Sequence, residues 1–162
     1  RKLKENRMPV QGTPKNFLKQ YKFIIECDRL GDTGFQKCSE FESDIEVNEY
    51  AEGGAIFNEK DAGRLSFTNI TLNRGQTFDD NDMENWHLEA ANAGDDIGGT
   101  GDSYKANMDI SSQQRDGSEG RRYRLFQAWP KRVKVGPWDN SNSEHVFNEA
   151  EIAYNYGVRV VS

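Results

Sequence analysis

The sequence predicts a mainly β fold, an antiparallel β-sandwich or barrel carrying one α-helix. Apolar and polar residues alternate along most of the chain, turn residues break the alternation at short intervals, and only residues 78–94 space their apolar side chains as a helix does. A chain of 162 residues suits one domain with a real core, and 35% hydrophobic against 30% charged residues makes that core modest beneath a polar surface.

Residues 1–20 hold Pro9, Gly12 and Pro14 with little periodicity, and read as an extended basic arm ahead of a β domain over 21–162. Tyr21, Phe23, Ile25 and Cys27 share one face of a strand from Tyr21 to Asp28. A turn at Gly31 to Gly34 returns the chain into a second extended segment near Phe35 to Cys38, forming an opening hairpin. A third segment begins around Ser43, where Ile45 and Val47 alternate with Glu46 and Asn48, and a strand from Leu65 to Arg74 carries Leu65, Phe67, Ile70 and Leu72. These two strands are expected to share one buried face on either side of a loop from Glu52 to Arg64. A connection of that length tends to be functional or disordered. This one contains Gly53, Gly54 and Gly63, together with Ile56 and Phe57 beside Glu59, Lys60 and Arg64, a composition suited to docking on a partner.

The helix is expected from Phe78 to Gly94. Asp79 or Asp80 caps its start, acids crowd the first turn, and Met83, Trp86, His87 and Ala90 fall at i, i+3, i+4 and i+7. Gly94 supplies the stop. Strands resume at Tyr104 to Ser111 and, after a turn at Asp116 to Gly120, at Arg122 to Trp129. Pro130 is expected to interrupt that strand, Val133 and Val135 to restart it, and Gly136-Pro137 to end it. The last strand, Glu144 to Tyr156, sets Phe147, Glu149 and Glu151 against Val146, Ala150 and Ile152.

No catalytic or cofactor site is expected. Asp79-Asp80-Asn81-Asp82 with Glu84 looks like a calcium loop, but counting from Asp80 the sixth position is Asn85 where glycine is needed, and the twelfth is Ala91 where a carboxylate is needed. The Gly-rich run at 94–102 lacks both phosphate-loop and dinucleotide spacing, and neither a nucleophile elbow nor a zinc-protease helix motif occurs. His87 and His145 lie far apart, and His87 reads as a core or boundary residue. Cys27 and Cys38 lack metal-ligand spacing; they suit either reduced, packed thiols or a disulfide within one hairpin or between neighbouring subunits.

Charge is distributed unevenly around a net of −6. Residues 1–22 are basic, with Glu5 the only acid; residues 23–98 are strongly acidic; the rest is near balance. Such a chain is a poor tight binder of DNA, because affinity for phosphate comes from neutralising it, and a better wall for DNA to slide past. The run Arg1, Lys2, Lys4 and Arg7 is expected to meet the acidic surface of an adjacent copy. The start, RKLKENRMPVQG, has no apolar region following its basic residues, so neither a secretion nor a membrane signal is expected.

Several collinear motifs resemble one family. Phe23-Ile24-Ile25-Glu26, then Gly34-Phe35-x-x-Cys38-Ser39-Glu40, then Glu49-Tyr50-x-Glu52-Gly53-Gly54, Lys60-x-x-Gly63-Arg64 and Asn69-Ile70-Thr71-Leu72-x-Arg74-Gly75 are followed by Ala128-Trp129-Pro130-x-x-Val133 and Gly136-Pro137. Together they are similar to the tail tube protein of contractile-tailed bacteriophages and to the inner tubes of related contractile injection systems. The likeness runs over residues 21–157; the basic arm and the Gly- and Asp-rich stretch from Gly94 to Ser103 depart from it. The resemblance implies homohexameric rings stacked helically into a tube within a sheath, with DNA or effector passing through. Strands of each subunit would join a continuous inner β-barrel, which fits a sheet whose edges are not blunted. It also implies contacts with the sheath, a baseplate or tube initiator and a tail terminator, and a place in the virion after assembly in the host cytoplasm. The loop from Glu52 to Arg64 would then touch the next ring or the adjacent subunit, Lys60 and Arg64 meeting carboxylates, while Arg74 and Gly75 hold the strand-to-helix corner. The alternatives are an inner tube or baseplate-proximal tube initiator of an extracellular injection system, and a free-standing binding module.

Overall fold

A computed structural model describes residues 20, 22–31, 34–75, 80–93 and 101–161. The basic run from Arg1 to Arg7, Asp79 as a cap and Gly94 as a helix stop lie outside these residues.

Nine strands and one helix form the described structure: β1 (Phe23–Cys27), β2 (Lys37–Cys38), β3 (Ser43–Tyr50), β4 (Glu59–Phe67), β5 (Ile70–Gly75), α1 (Asp82–Asn92), β6 (Ala106–Gln113), β7 (Glu119–Val135), β8 (Phe147–Ala153) and β9 (Tyr156–Val160). All pairings are antiparallel. The organising strand is β7, whose 17 residues serve two sheets. Its first part lies between β6 and β9, with β1 beyond β6; its second part pairs with β8, which leads to β5 and β2. The strand passes from one sheet to the other where Gln127 takes φ 57° and where a bulge falls between Pro130 and Arg132. Pro130 therefore does not interrupt the strand as expected: the bulge absorbs its missing N–H and pairing continues to Val135.

Three other expectations change. Phe23–Cys27 and Lys37–Cys38 do not form a hairpin, because β1 pairs with β6, Ile25 opposite Ile110, while β2 pairs with β5, Cys38 opposite Leu72. Two residues of β2 carry too little local pairing to outweigh longer strands with buried faces. The strand foreseen from Leu65 to Arg74 is two: β4 ends at Phe67, Thr68 donates its N–H to Glu42 O at 3.2 Å, and β5 starts at Ile70 in a different sheet. The final strand, expected from Glu144 to Tyr156, is confined to β8, Phe147–Ala153, and a further strand, β9, follows where none is expected. Asn155 donates its N–H to Phe126 O at 3.1 Å, and there the chain leaves β8 on one half of β7 for β9 on the other.

One buried cluster joins both sheets to the helix: Ile70 and Leu72 of β5, Met108 of β6, Leu125 and Ala128 of β7, Ala150 and Ile152 of β8, Leu30, and Met83 and Trp86 of α1. Each fully buried aliphatic side chain contributes roughly 1.5–3 kcal/mol relative to exposure. The helix sits against β7. His87 Nδ1 lies 3.0 Å from Pro130 O, and the Trp86 indole N–H donates to Tyr104 O. His87 is thus a boundary residue bonded to the backbone, at the spacing from Met83 and Trp86 that the sequence indicates.

Candidate assembly surface

Strands β3 and β4 form a separate two-stranded ribbon. Alternation puts Ile45 and Val47 on the same face as Leu65 and Ala62, their partners in register. That face is not buried: Ile45 is 52% exposed, Val47 56% and Leu65 51%. The expectation of a buried face fails because, among the described residues, no second layer lies over the ribbon. A two-stranded hairpin is marginal alone, and this one is anchored at its base, where Phe41 stacks among Phe67, Tyr123 and Tyr154 with centroid separations of 6.0, 5.4 and 6.2 Å.

The loop is confined to residues 51–58, shorter than expected, because Lys60, Gly63 and Arg64 belong to β4. Glu52, Gly53, Gly54 and Ala55 make a turn closed by the Ala55 N–H donating to Glu52 O at 3.0 Å, and Gly54 takes the φ of +95° that such a turn demands of glycine. Gly53 has open space around it. Ile56 and Phe57 follow at the tip, 91% and 81% exposed. Gly63 serves no turn; it lies at a bulge, where a Cβ would stand 2.9 Å from Glu46 O and 3.1 Å from the Asn48 amide. Lys60 faces Glu49 across the ribbon, Nζ to Oε1 3.1 Å, an exposed pair worth well under about 1 kcal/mol. Arg64 is exposed and has no ion pair among the described residues.

At the strand-to-helix corner Arg74 is buried with its guanidinium 2.8 Å from Asp80 Oδ2 and over the Phe35 ring. Asp80 in turn accepts the Asp82 N–H at 3.2 Å, so one carboxylate links the end of β5 to the first turn of α1. Asn81, the residue at the cap position, makes no side-chain capping bond. Gly75 ends β5 in open space. Cys27 and Cys38 are not joined: both are free, half-buried thiols on strands of different sheets, and burial pushes the Cys38 thiol up to about 11.

Sequence reasoning missed a charge network on the outer face of the β1-β6-β7-β9 sheet. Asp109 takes Arg124 Nε at 2.7 Å and Arg122 Nη1 at 3.0 Å, while Arg122 also reaches Glu119 at 2.6 Å and Glu26 at 3.3 Å. The bond from Arg124, with help from Arg122, holds the Asp109 carboxyl below the usual carboxylate range. The alternation Arg122-x-Arg124 carries the signal, but only the register of β6 on β7 reveals the acid opposite. On the outer edges of this sheet, β1 and β9 have no further strand partner among the described residues. Nor do those residues hold a group of His, Cys, Asp and Glu able to bind a metal, or a helix long and apolar enough to cross a membrane.

The sequence profile described as T4-like virus tail tube protein gp19 matches residues 19–157. The chain belongs to that family. Tail tube proteins are structural components, not enzymes, of a contractile tail. Solved structures share the fold. A chain in the structure of the anti-feeding prophage tube-terminating cap is 19% identical with a TM-score of 0.76 over 96% of this chain and 100% of that one. A chain in the structure of the PVC extracellular contractile injection system's sheath/tube terminator, in its extended state, is 18% identical with a TM-score of 0.75 over 92% and 100%. A chain of the PVC sheath–tube complex is 18% identical with a TM-score of 0.72 over 94% and 95%. No curated protein matches the chain by sequence.

Proposed function

We propose that copies of this chain join edge to edge into homohexameric rings, which stack through the β3–β4 ribbon into the tube of a contractile tail, the conduit for genome ejection. The observation that carries this reading is the ribbon itself, a structured element whose apolar face and tip have no cover among the described residues. The edges of β1 and β9, unpaired among the described residues, supply the ring contact: each is a template for another strand, and edge-to-edge pairing around a closing rotation gives a continuous inner barrel. The ribbon and its tip hold Asp44, Glu46, Glu49, Glu52, Glu59 and Asp61, so part of the acidity of residues 23–98 sits where it meets a neighbouring subunit. The remaining acids support a bore that repels DNA phosphates. A sheath, a terminator and a baseplate initiator complete the partners.

A second reading makes the tube part of an extracellular contractile injection system. It is favoured by fold neighbours whose descriptions name such systems. Negative-stain electron microscopy of the purified chain over a range of concentrations, with light scattering for mass, tests the common core of both. Six-fold rings or hollow tubes are expected; a chain that stays monomeric throughout counts against either. Tubes that eject DNA from a filled particle decide for the first reading, and tubes that carry only protein decide for the second.

A further inference from the structure

A groove of about 630 Å³ opens at the base of the ribbon. Phe23 of β1, Ile110 of β6, Tyr123 of β7 and Phe41 form its apolar surface, and Lys22, Lys37 and Arg121 stand around it against one acid among the described residues, Glu40. None of these three cations has a carboxylate within ion-pair distance among the described residues, and Lys22 Nζ instead donates to the backbone oxygens of Gln114 and Arg115. The ribbon has the opposite character: an apolar tip, Ile56 and Phe57, on strands where five acids, with Glu52 in the connecting loop, outweigh Lys60 and Arg64. We propose that the Ile56–Phe57 tip of one copy seats in the groove at the ribbon base of a copy in the next ring. The inference rests on the tube reading and names the two surfaces that stack.

Size, charge and reach all select a second copy. Sites that bury small ligands measure about 300–1,000 Å³, so the groove has room for two side chains. Its basic rim attracts the acidic ribbon and repels the basic run from Arg1 to Arg7. The ribbon cannot fill its own groove, because the eight residues of β3 rise about 3.3 Å each and carry the tip away from the base as a paired, stiff element. A knob at one end and a socket at the other make a heterologous contact, which propagates along an axis.

The test uses two versions of the full chain, both with Cys27→Ser and Cys38→Ser. One adds Ala55→Cys beside the intact tip, and the other adds Glu40→Cys at the groove. Circular dichroism checks that each folds. The two are mixed at assembling concentration, oxidised, viewed by electron microscopy and run on a non-reducing gel. The expected product is an Ala55→Cys to Glu40→Cys disulfide, at least about tenfold above that formed with a control cysteine at exposed Asn155, because seating raises the local thiol concentration. Rings or tubes without that product overturn the knob-and-socket contact and leave the tube reading standing. A product made instead by Lys4→Cys with Glu40→Cys gives the groove to the basic arm and also overturns it. Absence of any assembly in the unmodified chain overturns both.

Discussion

Arg74 is 3% exposed at the end of β5, with Asp80 at 2.8 Å and the Phe35 ring beneath it. Removing the guanidinium strands a partly buried carboxylate at the helix start, so Arg74→Ala is expected to lower stability by about 3–5 kcal/mol, read as a lower urea midpoint at unchanged slope. Arg74→Lys keeps the charge and loses less. Asp109 gives a pH-dependent counterpart. Arg124 and Arg122 lower its pKa in the fold, so the unfolded chain takes up the proton first as pH falls. Its stabilisation is therefore fully present above the unfolded value of about 3.9 and is lost as pH drops through the lower folded value. Asp109→Asn is expected to cost about 1–3 kcal/mol at neutral pH, with the gap to the unmodified chain closing under acid. A gap that stays constant down to the acid transition would assign the loss to packing instead.

Within the ribbon, the bulge at Gly63 fixes how β4 lies on β3. Because the clash from an added Cβ is with the Glu46 backbone oxygen, no side-chain rotation relieves it, and Gly63→Val is expected to open the hairpin locally. Amide exchange should quicken over residues 59–66 while β5, β7 and β8 keep their protection. The ribbon also shows what the sequence could and could not convey. Alternation at Ile45 and Val47 correctly marked an apolar face, but periodicity reports a face and not what covers it. The break between β4 and β5 did leave a trace: apolar residues fall at 65 and 67, then at 70 and 72, a change of phase that a single strand could not hold. In β7 the phase shifts between Leu125 and Ala128 and again between Pro130 and Val133, beside the positive φ of Gln127 and the bulge. Read as phase shifts, these positions signal a strand changing sheets; read as Pro130 alone, they signal an end. The helix was legible because Met83, Trp86 and His87 keep one stripe, whereas the partners of β1 and β2 were not, since pairing across distant segments has no local signature.

At the scale of the whole molecule, ring formation and ring stacking are assigned to different surfaces, the edges of β1 and β9 for one and the ribbon for the other, so they should separate by mutation. Phe57 is 81% exposed and contributes nothing to the core, and Phe57→Ser is accordingly expected to leave the thermal midpoint of the monomer unchanged. Burying a phenylalanine at a contact is worth about 1.5–3 kcal/mol, and each 1.4 kcal/mol is about tenfold in affinity. The concentration needed for tubes should thus rise by roughly ten- to a hundredfold in the variant. Rings should persist at concentrations where the unmodified chain has already polymerised, because the proposed strand pairing at the edges would not involve the tip. Added salt should act on the same step: the acidic ribbon and the basic groove attract over about 10 Å at 0.1 M ionic strength, and screening slows their encounter more than it weakens the seated contact. Sedimentation of tubes and counting of isolated rings on the same grids measure both effects. If rings and tubes vanish together in Phe57→Ser, the ribbon joins neighbours within one ring, and stacking must be sought on another face.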